Sequence, residues 1–97
     1  KKKMDKQLLK KLVNAECKRS QKDDFADGMG GTVKVFVVET ETSRCKIWNS
    51  SNNSSFNLTE ACKEISNALL DHSVEDCLME GHFSIGFNEI WFEMEEK

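Results

Sequence analysis

The stretch TVKVFVVETETSRCKIWN, residues 32–49, decides the fold predicted for this chain. Its first half is rich in β-branched residues and predicts a strand with apolar side chains on both faces, the alternate valines on one and Phe36 and Val38 on the other. Its second half places Cys45 and Ile47 on one side and polar residues with Trp48 on the other. The short polar segment TETS, residues 40–43, separates the halves, so the sequence predicts an antiparallel hairpin.

The chain before this hairpin is strongly basic. Residues 1–22 contain nine basic and two acidic residues, a balance of +7. Apolar residues recur there at helical spacing, which predicts a basic amphipathic N-terminal helix over residues 1–22 whose apolar stripe docks on the domain core. The stripe comprises Met4, Leu8, Leu9, Leu12, Val13 and Cys17. Residues 23–32 are rich in Gly and Asp and predict a mobile connector.

The chain after the hairpin predicts a second helix. Asn57 followed by Glu60 has the spacing of a capping box, and apolar residues continue at helical spacing to about Asp71. A further short helical turn is expected between Ser73 and Leu78.

The C-terminal segment HFSIGFNEIWFEMEEK, residues 82–97, predicts strand structure. Its apolar alternation shifts by one position near Gly86 and Asn88, so it predicts two short strands or one bulged strand. The expected fold class is therefore α+β in the order α-β-β-α-β(-β), with a small antiparallel sheet of three or four strands and helices packed on one face.

Length and charge limit the organisation further. A chain of 97 residues has room for one domain, and its longest apolar run, Val35 to Val38, is too short to span a bilayer. From residue 23 onward there are five basic and fifteen acidic residues, a balance of −10. Residues 33–97 are thus predicted to form an acidic α+β body within one domain.

The cysteines bear on metal binding and on compartment. They are Cys17, Cys45, Cys62 and Cys77. They show no CxxC pair and no histidine at zinc-ligand spacing, so we expect no metal, and reduced thiols in a cytoplasmic protein. The alternative is a secreted disulfide-containing domain, which four glycosylation-type triplets would suit. These triplets begin at Asn49, Asn52, Asn53 and Asn57.

No catalytic constellation is recognisable in the sequence. Cys77 and His82 are close enough to suggest a nucleophile and its base, but no third orienting group or glycine-bearing elbow accompanies them. The Asp-rich segment from Asp23 has Phe25 and Lys34 at positions where a calcium loop needs carboxylates. We therefore predict a non-enzymatic protein without a cofactor.

The acidic C-terminal end suggests the function. Carboxylates surround Trp91 there, so phosphate would be repelled and a protein partner with a basic surface would be attracted. We expect a protein-binding module, a small inhibitor of a viral or phage type that blocks a basic, nucleic-acid-binding target. The predicted contact residues are Trp91, Glu89, Glu93, Glu95 and Glu96.

Two alternatives use the basic N-terminal segment. It would bind nucleic acid through its cationic side chains, with an affinity that falls steeply with salt. Those side chains are Lys6, Lys10, Lys11, Lys18 and Arg19. It would otherwise lie on the acidic body of a second copy and so form a homodimer. No membrane partner is expected.

Overall fold

The computed structural model describes residues 5–49, 57–71, 79–86 and 88–97. Within these ranges the chain forms two helices, a short 3₁₀ turn (Gln21–Asp23) and seven strands. The helices are α1 (Lys6–Val13) and α2 (Leu58–Leu70). The strands are β1 (Lys18–Arg19), β2 (Phe25–Ala26), β3 (Thr32–Val33), β4 (Val35–Glu39), β5 (Ser43–Asn49), β6 (Glu80–Ile85) and β7 (Asn88–Glu96).

The strands form a five-stranded antiparallel sheet and a separate two-stranded hairpin. The order in the large sheet is β1-β4-β5-β7-β6, and β2 pairs with β3. The predicted α+β class is confirmed. The predicted order and the count of three or four strands are too simple, because β1 and β2 precede the predicted hairpin and its first strand is divided into β3 and β4.

Residues 35–49 of the predicted hairpin form the middle of the large sheet, whereas Thr32 and Val33 pair with β2. β4 and β5 pair from Val35 opposite Trp48 to Glu39 opposite Arg44, and Thr40 closes the turn by donating its backbone N–H to the Ser43 carbonyl at 2.9 Å. β5 is the central strand, with β7 on its other side.

The helices cover one side of the sheet, which we call the helix face. Alternate residues of β4, β5 and β7 point to this face and are almost fully buried: Val38, Cys45, Ile47, Ile90, Phe92 and Met94. Against them pack the apolar stripes of α1 and α2, namely Leu8, Leu12, Ala61, Cys62, Ile65 and Leu69. One hydrophobic cluster therefore joins both helices to the sheet, which supports a single domain.

The N-terminal helix is shorter than predicted. Instead of reaching residue 22 it ends at Val13, and Ala15 has the left-handed backbone conformation (φ 53°). The Ala15 N–H donates to the Leu12 carbonyl at 3.0 Å, and the Glu16 N–H donates to the Lys11 carbonyl at 2.9 Å. These two bonds form a Schellman motif, which ends the helix and satisfies its last carbonyl groups. Lys18 and Arg19 then pair with β4 as an edge strand.

Residues 23–32, predicted as a Gly/Asp-rich connector, contain the end of the 3₁₀ turn, strand β2 and the turn that leads into β3. The Asp27 carboxylate accepts from the backbone N–H groups of Met29 (2.7 Å) and Gly31 (3.0 Å), which fixes the turn between β2 and β3. Asp23 binds Arg44 of β5 at 2.5 Å, and the ring of Phe25 meets Trp48 edge-on at 5.7 Å. The hairpin therefore packs on the side of the sheet opposite the helices.

The second helix and the C-terminal strands follow the sequence pattern. α2 begins after Asn57, whose side chain accepts from the Glu60 N–H at 3.1 Å as predicted. The shift in alternation near Gly86 is a turn between two strands, in which Gly86 has a left-handed backbone (φ 60°). The predicted helical turn at residues 73–78 lies outside the described residues. No helix in the described ranges is long and apolar enough to cross a membrane.

One carboxylate joins the start of α1 to the turn between β4 and β5. Asp5 accepts from the backbone N–H groups of the first helical turn (2.9 and 3.2 Å) and, at 2.7 Å each, from the hydroxyl groups of Thr40, Thr42 and Ser43. Burial acts to raise the pKa of the Asp5 carboxyl, but the hydrogen bonds from Ser43, Thr40 and Thr42 outweigh it and hold this pKa well below its usual range.

Removing the Asp5 charge should destabilise the fold in a pH-dependent way. We expect Asp5→Asn to lower the free energy of unfolding at pH 7 by roughly 1–2 kcal/mol, because the amide keeps the helix cap but loses charge-assisted bonds. Since the folded-state pKa is lowered, the charge stabilises fully above the unfolded-state pKa of about 3.9 and loses this effect as the pH falls below it. Urea denaturation at pH 7 and at pH 3 measures both effects.

We expect the difference in the free energy of unfolding between wild type and Asp5→Asn to be smaller at pH 3 than at pH 7. Glu64→Gln, which neutralises an exposed carboxylate on α2, serves as the control and should leave stability nearly unchanged. An equal gap at both pH values would contradict the role given to the Asp5 charge.

Gly81 of β6 should not tolerate a side chain. A Cβ atom at this position would lie 2.5 Å from Cε1 and 2.7 Å from Cζ of Phe92, whose ring is buried in the core. We expect Gly81→Ala to lower the free energy of unfolding by roughly 1–3 kcal/mol through overpacking, as measured by urea denaturation. Ser84→Ala, at an exposed position of the same strand, is the control. Equal stability of the two variants would show that Phe92 moves freely.

Candidate functional site

The side of the sheet opposite the helices is only partly covered, and we call it the open face. Hairpin β2–β3 covers its β4–β5 end, as the Asp23 and Phe25 contacts show. On the remaining part, Trp48, Trp91 and His82 are successive cross-strand partners on β5, β7 and β6. The open face therefore carries two exposed aromatic side chains, those of Trp91 and His82.

Four rings cross this face in one line. His82 stacks on Trp91 with ring centroids 4.2 Å apart, and Phe25 packs on Trp48 at the other end. We call Phe25, Trp48, Trp91 and His82 the aromatic row. Phe25 is 43% exposed and Trp91 is 39% exposed, so both present apolar surface to solvent.

The structure divides the four glutamates predicted as contact residues. Glu89, Glu93 and Glu95 alternate with core residues of β7 and share the open face with Trp91, whereas Glu96 points to the opposite side. Glu95 forms an ion pair with Lys46 at 2.7 Å, and the hydrogen bond from this pairing raises the pKa of Lys46. Glu95 is thus largely neutralised within the chain.

Glu89 belongs to a small polar cluster at the end of β6 and β7. Its Oε2 atom accepts from the Ser84 hydroxyl at 3.0 Å and also contacts Nε2 of His82. The bonds from Ser84 and His82 lower the pKa of the Glu89 carboxyl, so the group is ionised near neutral pH. The Ser84 hydroxyl donates to Glu89 and not to His82, so this is not the arrangement of a serine activated by a histidine base.

Glu93 and Glu80 form a different arrangement. They are direct cross-strand partners on the open face, and in the described part of the chain no basic side chain lies within 4.0 Å of either carboxylate. We call these two residues the carboxylate pair. Together with Trp48, Trp91 and His82 they line a recess of about 310 Å³. Glu80 and His82 were not predicted as neighbours of Trp91, because their approach depends on the register of β6 against β7.

The basic residues predicted as a nucleic-acid contact lie on two elements, α1 and β1. Lys6 and Lys10 are exposed on α1, but Lys11 donates to the Glu39 carbonyl at 2.9 Å. Arg19 on β1 makes two bonds to the Asp24 carboxylate, at 2.6 and 2.7 Å, and lies over the Phe36 ring. Lys18 is exposed on the same edge strand. Arg19 and Lys11 thus take part in holding the fold together.

The described cysteines are free thiols, while Cys77 lies outside the described residues. Cys45 and Cys62 are buried and Cys17 is half-buried. Burial, with the neighbouring Cys17 thiol, raises the pKa of Cys62 to about 12, so its reactive thiolate is not populated near neutral pH. Among the described residues no group of three or more His, Cys, Asp or Glu side chains is placed to hold a metal ion. The Cys17 and Cys62 thiols are neighbours, and the disulfide alternative stays a prediction.

The hydrogen bond from Ser84 to Glu89 in the polar cluster can be tested directly. We expect Ser84→Ala to raise the pKa of the Glu89 carboxyl, because the Ser84 hydroxyl stabilises its charged form. An NMR titration of the glutamate side-chain carboxyl carbons measures this change. Ser66→Ala, which removes a hydroxyl bonded to the Lys63 carbonyl on α2, is the control and should leave Glu89 unaffected. An unchanged Glu89 titration in Ser84→Ala would contradict the cluster.

Comparison with known proteins identifies no relative of this chain. No protein-family model, no curated protein and no solved structure matches it. The function is therefore argued from the open face alone.

Proposed function

We propose that this chain is a non-enzymatic protein-binding module whose open face binds a basic segment of another protein. The observation that carries the proposal is the combination of an exposed tryptophan, Trp91, with two glutamates that lack a basic partner among the described residues. A patch of this kind matches the usual anatomy of a binding site, in which an aromatic anchor is surrounded by polar groups.

The anchor and the charges have separate roles in this proposal. Burying the exposed part of Trp91 and Phe25 supplies affinity, since aromatic residues dominate binding energy at interfaces. The glutamates supply orientation and a faster encounter with a positively charged partner. The sheet is rigid and its side chains are already in place, so little ordering is needed on binding.

The partner class follows from the sign of the charge. A basic, nucleic-acid-binding protein has a surface that accepts acidic groups, and a chain that occupies this surface acts as an inhibitor, in the manner of small viral or phage proteins. Nucleic acid itself is a weaker candidate, because Lys11 and Arg19 are engaged within the chain. A second copy is the other candidate, and the experiment below separates these outcomes.

Reversing one charge on the open face should weaken such binding. We expect Glu93→Lys to reduce the affinity for a basic nucleic-acid-binding domain by roughly five- to tenfold, mainly through a slower association rate. Isothermal titration calorimetry and stopped-flow mixing, with a panel of purified basic domains, measure the affinity and the rate. Duplex DNA added to the mixture should compete if the chain occupies the nucleic-acid site.

The matched control is Glu64→Lys, which makes the same charge change on α2, away from the open face. Equal weakening by the two variants would mean that only net charge matters and would contradict the proposed site. A mobility shift of DNA by the chain alone, lost in Lys6→Gln/Lys10→Gln, would favour the nucleic-acid alternative. A dimer in light scattering that Glu93→Lys dissociates would favour a second copy.

A further inference from the structure

The carboxylate pair lies in an unfavourable arrangement within the chain. Glu80 and Glu93 are directly opposite one another on β6 and β7, where like charges destabilise a sheet. Lys46 is the next residue in the same cross-strand row, but its ammonium binds Glu95 at 2.7 Å. In the ranges that the structure describes, no basic nitrogen lies within 4.0 Å of either carboxylate. Lys46 and Glu93 interact only at longer range, where the charge of Glu93 adds to that of Glu95 in raising the pKa of Lys46. A cation placed between the two carboxylates would relieve their repulsion.

The recess beside the pair has the properties of a site for one side chain. Its volume of about 310 Å³ is at the lower end for small-molecule sites, so it suits a single side chain better than a cofactor. Trp48 and Trp91 line it, and the face of an indole ring attracts a cation. The same recess thus brings together aromatic faces and unneutralised carboxylates.

The chemistry of the recess distinguishes between cations. A guanidinium is planar, stacks on aromatic rings and donates through several N–H groups in a fixed fork, whereas an ammonium is compact and strongly hydrated. A divalent metal ion would gain nothing from the indole rings, and no third ligand accompanies the pair in the described part of the chain. We propose that this recess binds the guanidinium of one arginine of the partner, which stacks on Trp91 and bridges Glu80 and Glu93.

This inference rests on the proposed function and names the chemical group that the open face recognises. It places the arginine in the middle of the contact, between the exposed Trp91 and the carboxylates. Partners with arginine at the contact should then be preferred over partners of equal charge that present only lysine.

The test uses short peptides with the full chain. The peptides are N-acetyl-Gly-Arg-Gly-amide, its lysine analogue and its citrulline analogue, which keeps the planar shape of arginine but has no charge. The NMR signals of the two indole N–H groups report binding. We expect saturable shifts of the Trp91 signal with the arginine peptide, binding about tenfold weaker with lysine, and no saturable shift with citrulline.

Variants assign the effect to the recess. Glu80→Gln/Glu93→Gln should weaken arginine binding about tenfold or more, and Glu60→Gln/Glu64→Gln, with the same loss of charge on α2, should leave it unchanged. Equal binding of the arginine and lysine peptides would overturn the inference. Unchanged binding of the arginine peptide in Glu80→Gln/Glu93→Gln would also overturn it.

The two proposals fail in different ways. Binding of a basic protein that depends on Glu93 but shows no preference for arginine would overturn the guanidinium site and leave the protein-binding function standing. Saturable binding of the arginine peptide at Trp91, combined with no binding of any basic protein, would support the site and count against the proposed function.

Discussion

The antiparallel pairing of β5 with β7 is the constraint on which the core and the open face both depend. The two strands stay in register over seven residue pairs, from Ser43 opposite Glu96 to Asn49 opposite Ile90. Side chains alternate between the two sides of a strand, so this register sends Ile47 and Phe92 to the helices and Trp48 and Trp91 to the other side. A shift by one residue would exchange the two sets, so burial of the core also determines the position of the aromatic row.

The two sides of the sheet are covered to different extents, and this difference creates the candidate site. On the helix face, α1 and α2 cover the apolar residues, and Asp5 anchors α1 to the β4–β5 turn. On the other side, the 3₁₀ turn that precedes hairpin β2–β3 supplies Asp23, which pairs with Arg44, and the next residue, Asp24, pairs with Arg19 of β1. Among the described residues neither carboxylate of the pair at the β6–β7 end forms an ion pair, because the Lys46 ammonium binds Glu95. The unpaired negative charge therefore lies where the covering hairpin stops.

The parts of this fold that could be predicted are those with a clear local pattern in the sequence, such as alternation along a strand or a capping residue before a helix. The β4–β5 hairpin, the start of α2 at Asn57 and the change of side near Gly86 all have such patterns. The end of α1 has none, because the left-handed position of its Schellman motif is Ala15 and not the glycine that usually marks it. β1 has only two residues, which is too short for any alternation to show.

The same reasoning applies to the site. Trp91, Glu89 and Glu93 alternate along one strand, so their shared side followed from the sequence, and Glu96 breaks that alternation. Glu80, His82 and Phe25 approach Trp48 or Trp91 only through strand register and through a hairpin whose turn depends on Asp27. Such contacts join residues that are distant in the chain, and no local pattern encodes them.

The net charges of the two halves of the chain overstate the charge that is free to interact with a partner. The excess of +7 in residues 1–22 includes Arg19, which pairs with the Asp24 carboxylate, and Lys11, which donates to the backbone carbonyl of Glu39. The −10 of the remainder includes Glu95, which pairs with Lys46. Fields of exposed charges are screened within about 8 Å at physiological salt, so distant carboxylates add little once a partner is in place. Recognition at the open face must then depend on short-range contacts. The groups placed to make them are the exposed ring of Trp91 and the two carboxylates beside it, a combination that favours a flat cation over a merely positive surface.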